Sequence, residues 1–157
     1  IKKPFEYPEP SHGDGFWDER KRRVLNDVIE QCNVDPKYTF SEKAVTGAKS
    51  AKPNMKRLVA QNLDEPCLTI TSHLAKVSIN SRDPVLLIDK GKEIYRRFTP
   101  WEAAAIQSFP KDFRFAGSEG DIYRQVGNAI PPIVMWRLIQ SIVTQIFDLP
   151  SGDFRGV

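Results

Sequence analysis

One stretch constrains the local structure of this chain more than any other: Arg96-Arg97-Phe98-Thr99-Pro100-Trp101-Glu102. Thr99 is a helix-capping residue type, and Pro100 suits the first helical position. Glu102 stands three residues after the cap, where a carboxylate can reach back to the cap's own N–H. Ala103-Ala104-Ala105-Ile106-Gln107 then carries helix propensity until Phe109-Pro110 ends it, because proline cannot donate the helical hydrogen bond and clashes with the preceding turn. The stretch continues to Gly127-Asn128-Ala129-Ile130-Pro131-Pro132, and residues 96–132 read as helix, turn, loop and second helix.

Beyond Pro132 the pattern changes. Val134, Trp136, Leu138, Ile139, Ile142, Val143, Ile146 and Phe147 are apolar and cover far more than one narrow stripe of a helix. A helix apolar around most of its circumference is normally buried on more than one side. The short remainder of the chain does not look able to cover it, so the expectation is that this helix docks onto something else.

The upstream residues are less regular. Residues 1–18 contain Pro4, Pro8, Pro10, Gly13 and Gly15 and read as an irregular entry segment. Residues 18–31 suggest a short helix, with Val24, Val28 and Ile29 on one face and Leu25 beside it. Arg20-Lys21-Arg22-Arg23 precedes that face as a solvated basic run. Residues 48–54 are poor in apolar types and suggest an exposed loop. Residues 63–79 and 84–88 carry β-favouring types bounded by Pro, Asn and Gly, which predicts strands with a loop between them. Lys90-Gly91-Lys92 reads as a turn leading into Tyr95 and the capped helix.

Composition excludes some classes. A chain of 157 residues suits one domain or two small ones at about 100–200 residues per domain. No stretch approaches the roughly twenty apolar residues of a membrane span. Ile1-Lys2-Lys3-Pro4 has neither an initiator Met nor an apolar signal core, which reads as the edge of a fragment or a processed chain. Cys32 and Cys67 form no metal-ligand spacing or disulfide framework, which suits a reducing compartment, and His12 and His73 suggest no zinc site. A cytoplasmic location, nucleoid-associated at most, is expected. The net charge of +3 says little, but its distribution says more: Lys43, Lys49, Lys52, Lys56 and Arg57 fall together with no acid among them.

The arginine-led Thr99-Pro100-x-Glu102 helix ending in Gln107-x-Phe109-Pro110, followed by Tyr123-Arg124-Gln125-Val126-Gly127-Asn128-Ala129-Ile130-Pro131-Pro132, resembles the last two motifs, the ninth and tenth, of the DNA cytosine-5 methyltransferases. Residues 5–13 resemble the Pro-rich run after that family's eighth motif. Tyr38-Thr39-Phe40-Ser41-Glu42-Lys43 resembles an element of its target-recognition region.

The resemblance implies a mixed α/β chain: a small irregular target-recognition domain over residues 1–120 and a tenth-motif segment with a terminal helix over 121–157. In the family these C-terminal helices complete a doubly wound S-adenosylmethionine-dependent methyltransferase fold. The family's reaction needs a nucleophilic Cys in a Pro-Cys-Gln context to attack a flipped cytosine, a Glu in Glu-Asn-Val and a Phe-x-Gly-x-Gly loop for S-adenosylmethionine. Neither the Glu-Asn-Val triplet nor the Gly-rich loop occurs here. Pro66-Cys67 is followed by Leu68-Thr69-Ile70-Thr71, alternating as on a half-buried strand, so Cys67 reads as structural and no catalytic residue is assigned.

By the same resemblance Thr69 matches the family's phosphate-contacting Thr, and Ser72, His73 and Lys76 become candidate readers or positioners of DNA. Lys52, Lys56 and Arg57 join them as phosphate contacts, while Gly127, Asn128, Ala129 and Ile130 match the edge of the S-adenosylmethionine site. A Gly-Asn turn before a helix would allow close backbone approach. Trp101 departs from the family's usual Arg. The implied function is that of a C-terminal fragment or small subunit of a DNA cytosine-5 methyltransferase from a restriction–modification system, inactive alone. Its implied partners are double-stranded DNA and a catalytic N-terminal part or large subunit, with self-association when isolated. A non-catalytic DNA-binding or regulatory module, or part of a tRNA cytosine-5 methyltransferase, stays open as an alternative.

Overall fold

The structure is a computed structural model and describes residues 4–8, 23–30, 33–52, 58–76, 78–79 and 83–147. Among these the chain forms two compact units, one of residues 23–129, the other holding the described residues 4–8 and 130–147. The boundary between the two units lies after Ala129, so that the helix over 119–128 belongs to the larger one.

The larger unit is built on a three-stranded sheet ordered β1–β2–β3: Ala60–Gln61, Val85–Asp89 and Ile94–Arg96. β1 runs parallel to β2, and β2 antiparallel to β3, with a register irregularity between Leu87 and Asp89. The turn joining β2 to β3 lies at the expected residues 90–92, where Asp89 Oδ1 accepts the Lys92 N–H at 2.9 Å. Residues 84–88 thus behave as anticipated, but the strand expected over 63–79 does not form. Those residues, where described, are irregular and close into a 3-10 turn, Ser72–Ala75. The buried Gln61 explains this: its amide donates to the Pro66 carbonyl and its Oε1 accepts the Leu68 N–H, so a side chain takes the place of a neighbouring strand.

The expected helix over 18–31 reduces, in its described part, to a 3-10 turn at Leu25–Asp27. Backbone bonds from Leu25 N to Glu65 O and from Asn26 N to Leu63 O hold it in place of further helical turns. Helix α1, Glu42–Ser50, occupies the start of the region read as an exposed loop. Ser41 caps it, and Val45 and Ala48 bury against Ile79, Val85 and Tyr95. Helix α2, Pro100–Ile106, forms as the sequence dictates, with the full capping box: Thr99 Oγ1 accepts the Glu102 N–H, and Glu102 Oε2 accepts the Thr99 N–H. Helix α3, Glu119–Asn128, starts from a second such box between Ser118 and Asp121.

The main core gathers Leu25, Ile29, Ile70, Leu74, Leu86, Phe98, Ala103, Ala104, Tyr123 and Val126. It therefore joins α2 and α3 to the 3-10 turn at 72–75 and to the sheet.

In the smaller unit α4 spans Pro132–Ile146. None of its residues is buried, and Ile133, Val134, Trp136, Ile139 and Ile146 are each more than two-fifths exposed. Its polar edge holds the entry segment: Glu6 N–H donates to Gln145 Oε1, and Gln145 Nε2 and Ser141 Oγ donate to the Glu6 carbonyl.

Candidate functional site

The segment 69–76 brings four of the sequence-derived candidates together. Ile70 and Leu74 are buried and anchor it in the main core, while Thr69, His73 and Lys76 lie exposed and Ser72 half-buried. Thr71 caps the turn, its Oγ1 accepting the His73 N–H at 3.2 Å. The same hydroxyl donates to Asp83 Oδ1 at 2.6 Å. Asp83 is only 2% exposed and directly precedes β2 through Pro84, so the sheet fixes its place. A hydroxyl, an imidazole and an ammonium are thus presented on a short turn whose backbone is fastened from below. Such groups can meet phosphate oxygens and base edges.

Helix α3 closes the other side of this turn. A Cβ on Gly127 would lie 2.2 Å from Ser72 N and from Thr71 C, so only glycine allows the two backbones this close. Gly127 and Asn128 are the last residues of α3, not a turn opening the next helix. The close approach expected at Gly127 exists, but it is to the chain's own turn. Beyond it the Asn128 side chain is exposed, Ala129 is half-buried with its N–H donating to Val126 O, and Ile130 is 59% exposed. For S-adenosylmethionine the fit within the larger unit is therefore partial: Asn128 has an exposed amide, whereas Gly127 has its open face filled by Thr71 and Ser72.

Charged groups hold the frame around the turn. Arg96 Nη1 and Nη2 donate to Glu102 Oε2 and Oε1, both at 2.7 Å, and Arg96 Nη2 also reaches the Glu30 carbonyl at 3.0 Å. Glu102 Oε1 accepts the Glu30 N–H in return. Arg97 Nη2 donates to Glu119 Oε1 at 2.9 Å and lies over the rings of Tyr38 and Tyr123. Tyr38 OH and Lys37 Nζ both reach Glu119 Oε2 at 2.9 Å. Burial works against the Glu119 charge, but the hydrogen bonds from Lys37 and Tyr38 and the charges of Lys37 and Arg97 keep its carboxyl below its ordinary value. Tyr123 OH donates to the Phe98 carbonyl at 2.6 Å. Sequence reasoning missed Asp83 and Glu119, whose only signals were an Asp-Pro step into a strand and an acid beside a capping Ser, and it named Tyr123 as part of the tenth-motif match without giving its hydroxyl a role.

Cys67 is half-buried against the main core, and burial pushes its thiol up to about 12. It lies outside the named strands, so the expected strand position is corrected, while its unreactive character fits a packing residue. Lys52 is exposed just past α1, and Lys56 and Arg57 lie outside the described residues. Trp101 projects half-exposed from α2 and touches the Phe115 ring at 5.8 Å between centroids. Among the described residues no group of His, Cys, Asp and Glu is placed to hold a metal ion, and no helix is long and apolar enough to cross a membrane.

Comparison with known proteins adds a second line of observation. Residues 2–144 match the family described as C-5 cytosine-specific DNA methylase. The chain is 33% identical to the type II methyltransferase M.PspPI of Psychrobacter sp. (strain TA137), over 96% of this chain and 35% of that protein. It is 38% identical to the type II methyltransferase M.Sau96I of Staphylococcus aureus, over 73% of this chain and 25% of that protein. The chain thus spans about a quarter to a third of the length of these relatives. The crystal structure of the S. pombe Dnmt2 methyltransferase superposes with a TM-score of 0.65 at 19% identity, covering 83% of this chain and 44% of that one. At that identity the likeness concerns the fold, and it agrees with the mixed α/β architecture of helices on a small sheet.

Proposed function

The chain belongs to the C-5 cytosine-specific DNA methylase family, and from that premise we propose that it supplies the target-recognition region and the tenth-motif edge of a DNA cytosine-5 methyltransferase of restriction–modification type. In this reading Thr69, Ser72, His73 and Lys76 face the duplex from the turn, and Lys52, Lys56 and Arg57 meet phosphates. Asn128, Ala129 and Ile130 form one edge of the S-adenosylmethionine site. Gly127 serves that edge indirectly, by seating α3 against the turn. The bound cofactor supplies the methyl group. This chain's own part is to orient DNA and to offer the exposed Asn128 amide to the cofactor.

The observation that carries the reading is the seating of the turn Ser72–Ala75 against Gly127. It joins the segment matching the family's recognition element to the segment matching its tenth motif in one rigid contact. The nucleophile and the Glu of the reaction come from a catalytic part, in the same or a separate polypeptide, and α4 docks its apolar surface there. Cys67, half-buried and held protonated, does not supply the nucleophile.

The test is transfer of labelled methyl groups from S-adenosylmethionine to cytosine in duplex DNA. Transfer is expected when the chain is joined to, or mixed with, a catalytic part bearing the Pro-Cys, Glu-Asn-Val and Gly-rich motifs, and not with the chain alone. Label appearing in tRNA rather than duplex DNA would replace the substrate assignment. Transfer by the chain alone, abolished by Cys67→Ser, would overturn the division of roles.

A further inference from the structure

The buried carboxylate of Asp83 belongs to no motif that marked the recognition turn, yet it holds the turn's capping residue. We propose that Asp83 and Thr71 form a positioning pair that sets base preference, acting through the turn Ser72–Ala75 without touching DNA themselves. The inference rests on the reading above, in which this turn faces the duplex.

The geometry runs as a line of contacts from the sheet to the turn. Asp83 sits at the entry to β2, 2% exposed, and its Oδ1 accepts the Thr71 hydroxyl at 2.6 Å. The same Oγ1 accepts the His73 N–H at 3.2 Å, and the Thr71 carbonyl accepts the Leu74 N–H at 3.2 Å. The next bond, from Lys76 N to the His73 carbonyl at 2.7 Å, fixes the far end of the turn. Gly127 blocks retreat on the α3 side, where the approach leaves no room for a Cβ. The backbone carrying His73 and Lys76 is therefore anchored in the core by Ile70 and Leu74, gripped from the sheet through the Thr71 hydroxyl and pressed from the helix at Gly127.

Base reading and phosphate attraction respond differently to loosening such a turn. A hydrogen bond to a base edge weakens steeply when its distance and angle drift. Attraction of an ammonium to the phosphate backbone tolerates displacement and follows the number of ions released. Loss of the Thr71 hydroxyl should therefore lower discrimination between sequences and leave the salt dependence of binding in place. A residue that merely stabilised the fold would lower both, or neither.

The experiment uses the full chain. Duplexes enriched from a random-sequence pool are compared with shuffled duplexes by equilibrium binding across a salt series. Thr71→Val is expected to reduce the preference ratio by about tenfold, the scale of one well-placed base contact, with the salt slope unchanged, whereas Thr71→Ser restores the ratio. Amide exchange at His73 should rise in Thr71→Val and not in Thr71→Ser, which reads the turn independently of DNA. Thr71→Ala carries the same expectation and serves where valine prevents folding. A hydroxyl-free variant with undiminished preference, or a parent chain that enriches no sequence, overturns the positioning role. Indifference of DNA binding to His73→Ala combined with Lys76→Ala removes the turn from the interface, which overturns the reading beneath it as well.

Discussion

Arg96 and Glu102 meet in a fork-to-fork pair, two hydrogen bonds of 2.7 Å with both side chains at most 5% exposed. The pair does more than join β3 to α2. Glu102 also accepts the Thr99 and Glu30 N–H groups, and Arg96 donates to the Arg97 and Glu30 carbonyls, so each charge is hydrogen-bonded on several sides. Such satisfaction is what permits two charges in a core, and removing one partner leaves the other uncompensated. Glu102→Ala or Arg96→Ala should each destabilise the larger unit by about 3–5 kcal/mol. Denaturant unfolding of the variants checks this, and a double variant less destabilised than either single one would show that the cost lies in the orphaned charge. Arg96→Lys should also fail to restore stability, since an ammonium cannot make the two parallel bonds.

Cys67 should be a poor nucleophile in the folded chain. Its thiol is pushed from an ordinary 9.0 up to about 12 by burial, a gap of about three pH units. At a given pH below both values this leaves on the order of a thousandfold less thiolate than in an exposed cysteine. Alkylation at mildly alkaline pH should therefore be slow in the native chain and fast after denaturation. Rapid native labelling at Cys67 would refute the packing role.

The same burial sets an alkaline limit on stability. Around neutrality Cys67 is protonated both folded and unfolded and contributes no pH dependence. Above 9.0 the unfolded thiol ionises while the folded thiol keeps its proton until about 12, so the unfolded state binds fewer protons and stability falls across that window. Tyr123, whose hydroxyl is raised from 10.0 chiefly by burial, acts in the same direction at still higher pH. Thermal melting through this alkaline range should show a falling midpoint, and Cys67→Ala should flatten its first part. A midpoint constant up to pH 12 would contradict both assignments.

The elements legible in the sequence are those whose cause is local. Thr99 and Glu102 announce α2 because a capping box needs only residues four positions wide. Val85-Leu86-Leu87 announces β2 by β-favouring side chains, and residues 90–92 announce the turn. What stayed hidden depends on distant partners. The last turn of α1 falls within residues 48–54, which read as an exposed loop, yet Val45 and Ala48 find Ile79, Val85 and Tyr95. Residues after Leu63 have strand propensity, but Gln61 takes their hydrogen bonds from within the fold. At the site, the sequence placed Ser72, His73 and Lys76 on one short segment, and the structure puts them on one turn. It gave Gly127 its tolerance of close approach, but the Thr71–Ser72 backbone that meets it was not legible, because that backbone lies far away in sequence.

Duplex binding by the chain should be strongly salt-sensitive. Lys52 is exposed beyond α1, and it and Lys56 lie in the run of lysines without acids between residues 43 and 57. Each lysine that neutralises a phosphate contributes about 0.9 to the slope of log affinity against log salt. Lys52→Ala with Lys56→Ala should lower that slope for all sequences alike, whereas His73→Ala should change which duplexes are preferred. Affinity that stays constant between low and physiological salt would remove this basic run from the interface.

The terminal helix should be the source of association when the catalytic part is missing. Trp136 is 43% exposed, Ile139 50% and Phe147 64%, and none of the residues of α4 is buried. Its hydrogen bonds to Glu6 occupy only the edge carrying Ser141 and Gln145. Burying apolar surface is worth roughly 25 cal/mol per Å², so a helix left this open favours any arrangement that covers it. Light scattering on the isolated chain should show species heavier than the 17.9 kDa protomer, rising with concentration. Ile139→Glu, placed in the middle of the exposed surface, should shift the chain towards monomer and should also weaken its capture by a catalytic part. A parent chain that stays monomeric at high concentration and binds no such part would show that α4 needs no cover, and the docking role assigned to it would fall.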